Sequence, residues 1–96
     1  MYTVHAELKF YIPQAHSLKD KRRVSRSLIS KMRKLFNVSV AEVDAQDVPQ
    51  TLIVGLALVS GELDHAMQSL DEIVRVMDDY AEDELGIELI DIDKGV

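Results

Sequence analysis

A chain of 96 residues with 47% apolar and 29% charged side chains is expected to form one small domain, residues 1–96, with enough carbon surface for a single core. It has no cysteine, which excludes disulfides, thiolate metal sites and cysteine nucleophiles. The net charge of -6 conceals a division: residues 1–36 hold nine of the eleven Lys and Arg against Glu7 and Asp20, while residues 37–96 hold fifteen acids against Arg75 and Lys94.

The opening residues Met1-Tyr2-Thr3-Val4-His5 lack a basic region followed by an apolar run, so no signal peptide is expected. Val4, Ala6, Leu8, Phe10 and Ile12 then alternate with Thr3, His5, Glu7, Lys9 and Tyr11, the period of a strand with one buried and one polar face. Pro13 ends it. Ser17 is a good helix N-cap, with Asp20 placed near the N-terminal dipole. From there to residue 36 the period changes to 3.6, and Val24, Leu28, Ile29, Met32, Leu35 and Phe36 form the apolar stripe. Asn37 is read as a left-handed C-terminal cap.

Residues 38–43 predict a second strand rich in β-branched side chains. A polar turn over 44–48 leads through Pro49 to the most hydrophobic strand, residues 51–59. At eight residues, even its apolar run 52–59 is far short of the ~20 a membrane helix needs, and no membrane partner is expected. Ser60-Gly61 open a second helix whose stripe is Leu63, Ala66, Met67, Leu70, Ile73, Val74 and Met77. Gly86 ends that helix, and residues 87–92 form a closing strand.

The order βαββαβ predicts an α+β, ferredoxin-like sandwich. Its four-stranded antiparallel sheet has order 4-1-3-2, with two helices on one face. With Leu52, Val54, Leu56 and Leu58 facing the helices, Thr51, Ile53, Gly55, Ala57 and Val59 face away. An uncovered apolar face marks an interface. Ile53, Gly55, Ala57, Val59 and Tyr11 are therefore expected to carry a homo-oligomer contact, an isologous dimer being the commonest solution. The other reading is a half-solvated sheet face. Base stacking on this face is not expected, because the third strand has no aromatic side chain and the first offers only Tyr11.

Projected at 100° per residue, Lys19, Arg22, Arg23, Arg26, Arg33 and Lys34 share one arc opposite the apolar stripe, with Lys21 and Lys31 flanking it and Ser30 in its midst. A solvated helix normally mixes signs to gain i,i+4 pairs. This one does not, and phosphate is a natural partner for such a face. Lys19, Lys21, Arg22, Arg23, Arg26, Arg33 and Lys34 are accordingly the candidate nucleic-acid-binding residues. The alternative is that the basic helix pairs with acidic protein surface, for instance Asp78, Asp79, Glu82, Asp83 and Glu84 of a neighbouring copy.

Nothing points to catalysis. His5, His16 and His65 stand in no ligand-spaced motif, the serines have no nucleophile-elbow context, and there is no glycine-rich phosphate loop. Asp44 with Asp47, and Asp91 with Asp93, read as loop or strand-end solvation. The expectation is a protein with no enzymatic activity, no cofactor and no metal, in a reducing cytoplasm.

The run His16-Ser17-Leu18-Lys19-Asp20-Lys21-Arg22-Arg23, followed by Phe36-Asn37-Val38-Ser39-Val40-Ala41-Glu42-Val43 and Asp47, resembles the YlxP-like family of small bacterial proteins of unknown function. The resemblance implies a ferredoxin-like fold. It also implies, through the frequent placement of its members beside translation initiation factor two and ribosome-binding factor A, work on the ribosome or its RNA. It assigns no catalytic residue. Lys19, Lys21, Arg22 and Arg23 match its basic signature, and so does Glu42. That carboxylate is read as an edge-strand guard or as the ion-pair partner of a helix-one arginine, in preference to a binding role.

Overall fold

Period-two alternation builds the first strand as expected. In the computed structural model, which describes residues 1–96, β1 (Tyr2–Tyr11) buries Val4, Ala6, Leu8 and Phe10, and Ile12 follows them into the core. β1 pairs antiparallel with β3 (Thr51–Ser60) along its whole length, from Tyr2 opposite Ser60 to Tyr11 opposite Thr51. Its other edge pairs with β4 (Glu88–Gly95), and β3 pairs outward with β2 (Ser39–Asp44). The order β2-β3-β1-β4 is the 4-1-3-2 sheet read from the opposite edge, and the fold is ferredoxin-like. The two most apolar strands hold the centre, where both edges are paired and one face is covered by the helices.

α1 (Leu18–Leu35) and α2 (Leu63–Tyr80) close one face of this sheet. Their contribution to the core is Leu28 and Met32 from α1, and Ala66, Leu70, Ile73, Val74 and Met77 from α2. These pack on Val4, Leu8, Phe10, Leu52, Val54 and Leu56. Full burial of one such Leu or Phe stabilises by about 1.5–3 kcal/mol, so this layer is the main source of fold stability. The α1 N-terminus is closed on both sides. Ser17 Oγ accepts from the Asp20 N–H at 3.1 Å, and Asp20 Oδ2 accepts from the His16 N–H at 3.0 Å.

Several boundaries differ from the sequence expectation. Asn37 is not left-handed: α1 ends at Phe36, whose backbone is extended and whose N–H donates to the Met32 carbonyl, so the chain passes directly into β2. Leu35 and Met67 lie on the apolar stripes, yet both are exposed: Leu35 is the last residue of α1, and Met67 lines an open hollow beside Val4, Leu70 and Gly95. α2 continues through a π-helical turn (Ala81–Leu85) before Gly86, at φ 64°, reverses the chain. β4 starts one residue later than expected and runs on to Gly95. It carries a bulge at Ile90, where the register passes from Phe10 opposite Leu89 to Lys9 opposite Asp91. Both hairpin and crossover connections leave one sheet face bare.

Candidate nucleic-acid interface

The helical phase that sends Leu28 and Met32 into the core sends Lys19, Arg22, Arg23, Arg26, Ser30, Arg33 and Lys34 to solvent. All of these are exposed. Lys19, Arg22, Arg23 and Arg26 line a surface depression of about 360 Å³ to which no other residue contributes. A second depression of about 470 Å³ follows towards the helix C-terminus, between α1 and β2, and is lined by Arg26, Ser30, Arg33 and Lys34 among others. The basic face is therefore one strip with two hollows.

The strip is electrostatically open. The four ion pairs of the molecule are Lys21–Glu42, Arg75–Glu72, Arg75–Asp79 and Lys94–Asp71, so none engages Lys19, Arg22, Arg23, Arg26, Arg33 or Lys34. Asp20 lies close enough for the Arg23 charge to favour its ionised form, without a direct pair. The His16 backbone N–H is the first cause holding that carboxyl below its ordinary value, aided by the Ser17 hydroxyl and opposed by desolvation. Arg33 is partly committed, since its Nη2 donates to the Val40 carbonyl at 2.9 Å. That contact occupies an outward carbonyl of an edge strand, which otherwise invites strand addition. Lys31 turns away from the strip and sits 5.6 Å from the centre of the Tyr80 ring, a cation–π contact.

Lys21 corrects the sequence reading. Its side chain is only 1% exposed, and its ammonium lies 2.7 Å from Glu42 Oε2. It also donates to the carbonyls of Ala45 and Val48. Oε2 has no other partner and no aligned hydrogen bond, so the contact with Lys21 is ionic in character. Lys21 is thus withdrawn from the solvent-facing cationic strip. Glu42 is the ion-pair partner of a helix-one lysine, not of an arginine. The signal was present in the projection: Lys21 falls four residues before Ser25 and seven before Leu28, both buried.

The sheet face opposite the helices is uncovered. Cross-strand register places Tyr11 beside Thr51, Lys9 beside Ile53, Glu7 beside Gly55 and His5 beside Ala57 on this face. Ile53, Gly55 and Ala57 are half-buried there, and Val59 at the strand end is 62% exposed. Gly55 is needed for close approach: a Cβ would lie 2.8 Å from Val43 Cγ1, the side chain that rests on it from β2. Around this contact lies a shallow hollow of about 670 Å³, bordered by His5, Glu7, Ala41, Val43, Gly55 and Ala57 among others. Towards β4 the same face turns acidic, with Glu88 opposite Tyr11, Asp91 opposite Lys9 and Asp93 opposite Glu7.

No group of three or more His, Asp or Glu side chains converges in metal-binding geometry. His5 lies over Gly95, the His16 N–H serves the helix cap, and His65 is exposed on the first turn of α2. No helix is long and apolar enough to cross a membrane.

Fold and surface together define a ferredoxin-like domain with one unpaired cationic helix and one bare sheet face. Residues 3–93 match the family described as "Protein of unknown function (DUF503)", and the chain belongs to that family. It is 33% identical over 77 residues to the uncharacterized protein YlxP of Bacillus subtilis (strain 168), covering 80% of this chain and 84% of that one. Among solved structures it resembles the de novo designed ferredoxin-fold protein LFR1 1, with a TM-score of 0.55 and 15% identity, over 100% of this chain and 85% of the design. It also resembles a C-terminal segment of the alpha subunit of aIF2 from Pyrococcus abyssi, with a TM-score of 0.55 and 16% identity, over 93% of this chain and 48% of that one. At such identities these two likenesses concern the fold alone.

Proposed function

We propose that this protein is a non-enzymatic, cytoplasmic RNA-binding module, associated with the ribosome or its RNA, that holds phosphates with the outer face of α1. The observation that carries this reading is the hollow lined solely by Lys19, Arg22, Arg23 and Arg26, with no ion pair to any of the four. A fifteen-acid remainder has every opportunity to neutralise those charges and leaves them free. Three of the four are arginines, whose planar fork grips phosphate oxygens in pairs. The protein's overall acidity is screened beyond ~8 Å at physiological salt, so a local cationic strip retains its own attraction. Arg22→Glu combined with Arg26→Glu is expected to abolish co-sedimentation with ribosomes or RNA while leaving the circular dichroism melt unchanged. Undiminished co-sedimentation of that variant refutes the reading.

A second reading concerns assembly and is favoured by the bare sheet face. Ile53, Gly55, Ala57 and Val59 form an apolar stripe along β3, with Val43 packed on Gly55 and Tyr11 near its end, that no element of the chain covers. A second copy of this chain is its proposed occupant, and the two readings are compatible because α1 lies on the other side of the molecule.

A further inference from the structure

We infer that the hollow between α1 and β2 receives a ribose of the bound RNA, whose 2′-hydroxyl is read by Glu42 with Ser25 and Ser30. This rests on the reading of α1 as an RNA surface and names the group by which that surface distinguishes RNA from DNA. Phosphates alone give no such distinction, because both backbones carry them.

The hollow of about 470 Å³ is not uniformly cationic. Turning outward from buried Ser25 at 100° per residue, α1 presents Ile29, Arg33, Arg26, Ser30 and Lys34 to it, and Ala41 and Glu42 close it from β2. Glu42 stands opposite Val54 in the sheet register, and Val54 is buried beneath the helices, so the carboxylate lies on the α1 side. Its Oε2 is buried against Lys21, while Oε1 takes part in no hydrogen bond and the side chain is 20% exposed. Ser25 is only 6% exposed. Ser17 Oγ caps α1 and Ser27 Oγ meets the Tyr80 hydroxyl, whereas the hydroxyls of Ser25 and Ser30 have no partner within the chain.

An open carboxylate oxygen beside three cations works against phosphate, since like charges repel. That repulsion is offset only by a ligand that brings a hydrogen-bond donor next to its phosphates. The DNA backbone has none. RNA has one on every sugar, and its 2′-hydroxyl both donates and accepts. The hollow offers both counterparts: Glu42 Oε1 accepts, and a serine hydroxyl donates. Arg26, Arg33 and Lys34 at the rim then hold the adjoining phosphates. A base is the poorer occupant, because the apolar wall consists of Ile29 and Ala41 and provides no ring on which to stack.

The test is fluorescence anisotropy with one hairpin sequence bearing a single-stranded tail, made as RNA, as RNA with fluorine replacing each 2′-hydroxyl, and as DNA. The fluorinated probe keeps the sequence and the sugar pucker of RNA but lacks the donor. The RNA is expected to bind about tenfold or more tighter than either of the others, the effect of one hydrogen bond to a charged group. Glu42→Gln should weaken RNA binding and strengthen binding of both other probes, bringing all three within about threefold of one another. Ser25→Ala, which suits a helix, should weaken RNA binding several-fold and leave the fluorinated probe unchanged. A thermal melt checks that each variant is folded. Equal binding of RNA and fluorinated RNA by the parent overturns the inference. So does a preference for RNA that folded Glu42→Gln retains in full; should that variant not fold, the same outcome with Ser25→Ala decides. Failure of all three probes to bind the parent overturns the RNA reading itself.

Discussion

Taking the Lys21 ammonium out of water costs several kcal/mol unless every proton finds an acceptor. The Glu42 carboxylate and the Ala45 and Val48 carbonyls provide three. The lysine in turn fixes the β2–β3 connection, including Ala45 at φ 53°, a left-handed conformation that a non-glycine residue holds only when its surroundings insist. Lys21→Met is expected to destabilise the fold by about 2–4 kcal/mol, because it strands a half-buried carboxylate and two carbonyls. Lys21→Met with Glu42→Gln should recover part of the loss, and urea denaturation of the four-member cycle measures the coupling. Since Lys21 is not on the outer face, the phosphate affinity proposed for α1 should not change in the folded fraction. Asp20 makes a pH prediction of definite sign. Its folded-state pKa lies below the ordinary value of 3.8, so its contribution is fully present above that value and is lost as pH falls through the lower folded value. Asp20→Asn should flatten acid unfolding in that window, as followed by circular dichroism.

At the level of elements, periodicity made the sheet legible and end effects did not. β1 alternates without interruption, so Val4, Ala6, Leu8, Phe10 and Ile12 could be assigned to the core individually, and all are buried. Helical periodicity names a face but not how completely the neighbouring layer fills against it, and Leu35 and Met67 lie on the stripes yet in solvent. The arc of exposed cations was legible for the same reason as the strands: charge and phase agree at Lys19, Arg22, Arg23, Arg26, Arg33 and Lys34. The phase of Lys21, seven residues before Leu28, set it at the edge of the stripe, but its partner Glu42 comes from another strand, and pairing across elements leaves no local pattern. The π-helical turn was equally invisible, since widening the last turn of α2 depends on how Ile87 must enter the core. Its N–H reaches back to the Ala81 carbonyl at 3.1 Å. Gly86 makes that exit feasible at φ 64°, with open space around it. Gly86→Ala should therefore cost about 1 kcal/mol from backbone strain alone, read as a shift in urea midpoint at unchanged m-value. A larger loss would mean that the turn carries tertiary contacts beyond its own conformation.

For the molecule as a whole, the charge division becomes a division of surfaces. α1 presents cations on the helix side, while β4 lines one margin of the opposite face with Glu88, Asp91 and Asp93. That margin constrains how a second copy can meet the bare sheet. Rotation about an axis perpendicular to the strands would lay β4 on its own symmetry mate and oppose like charges. Rotation about an axis along β3 lays β3 on β3 and β1 on β2, and leaves both acidic strands at the rim. The strands then run nearly aligned, the usual arrangement for stacked sheets. Three strands overlap in this pairing, the central two ten residues long, for a footprint of roughly 500 Å², smaller than the ~800 Å² of accessible surface each partner buries in a standard interface. Ile53 stands on the axis strand opposite Lys9, so Ile53→Glu places a carboxylate beside an existing ammonium within the monomer and beside its own mate in the dimer. The variant should melt like the parent yet sediment as a monomer at concentrations where the parent is a dimer. Asp91→Ser, at the rim, should leave the parent's association constant within about twofold, because a rim charge contributes little to affinity. A parent that is monomeric throughout sedimentation equilibrium removes the pairing altogether. Loss of association with Asp91→Ser but not with Ile53→Glu moves the contact from the face to the β4 edge.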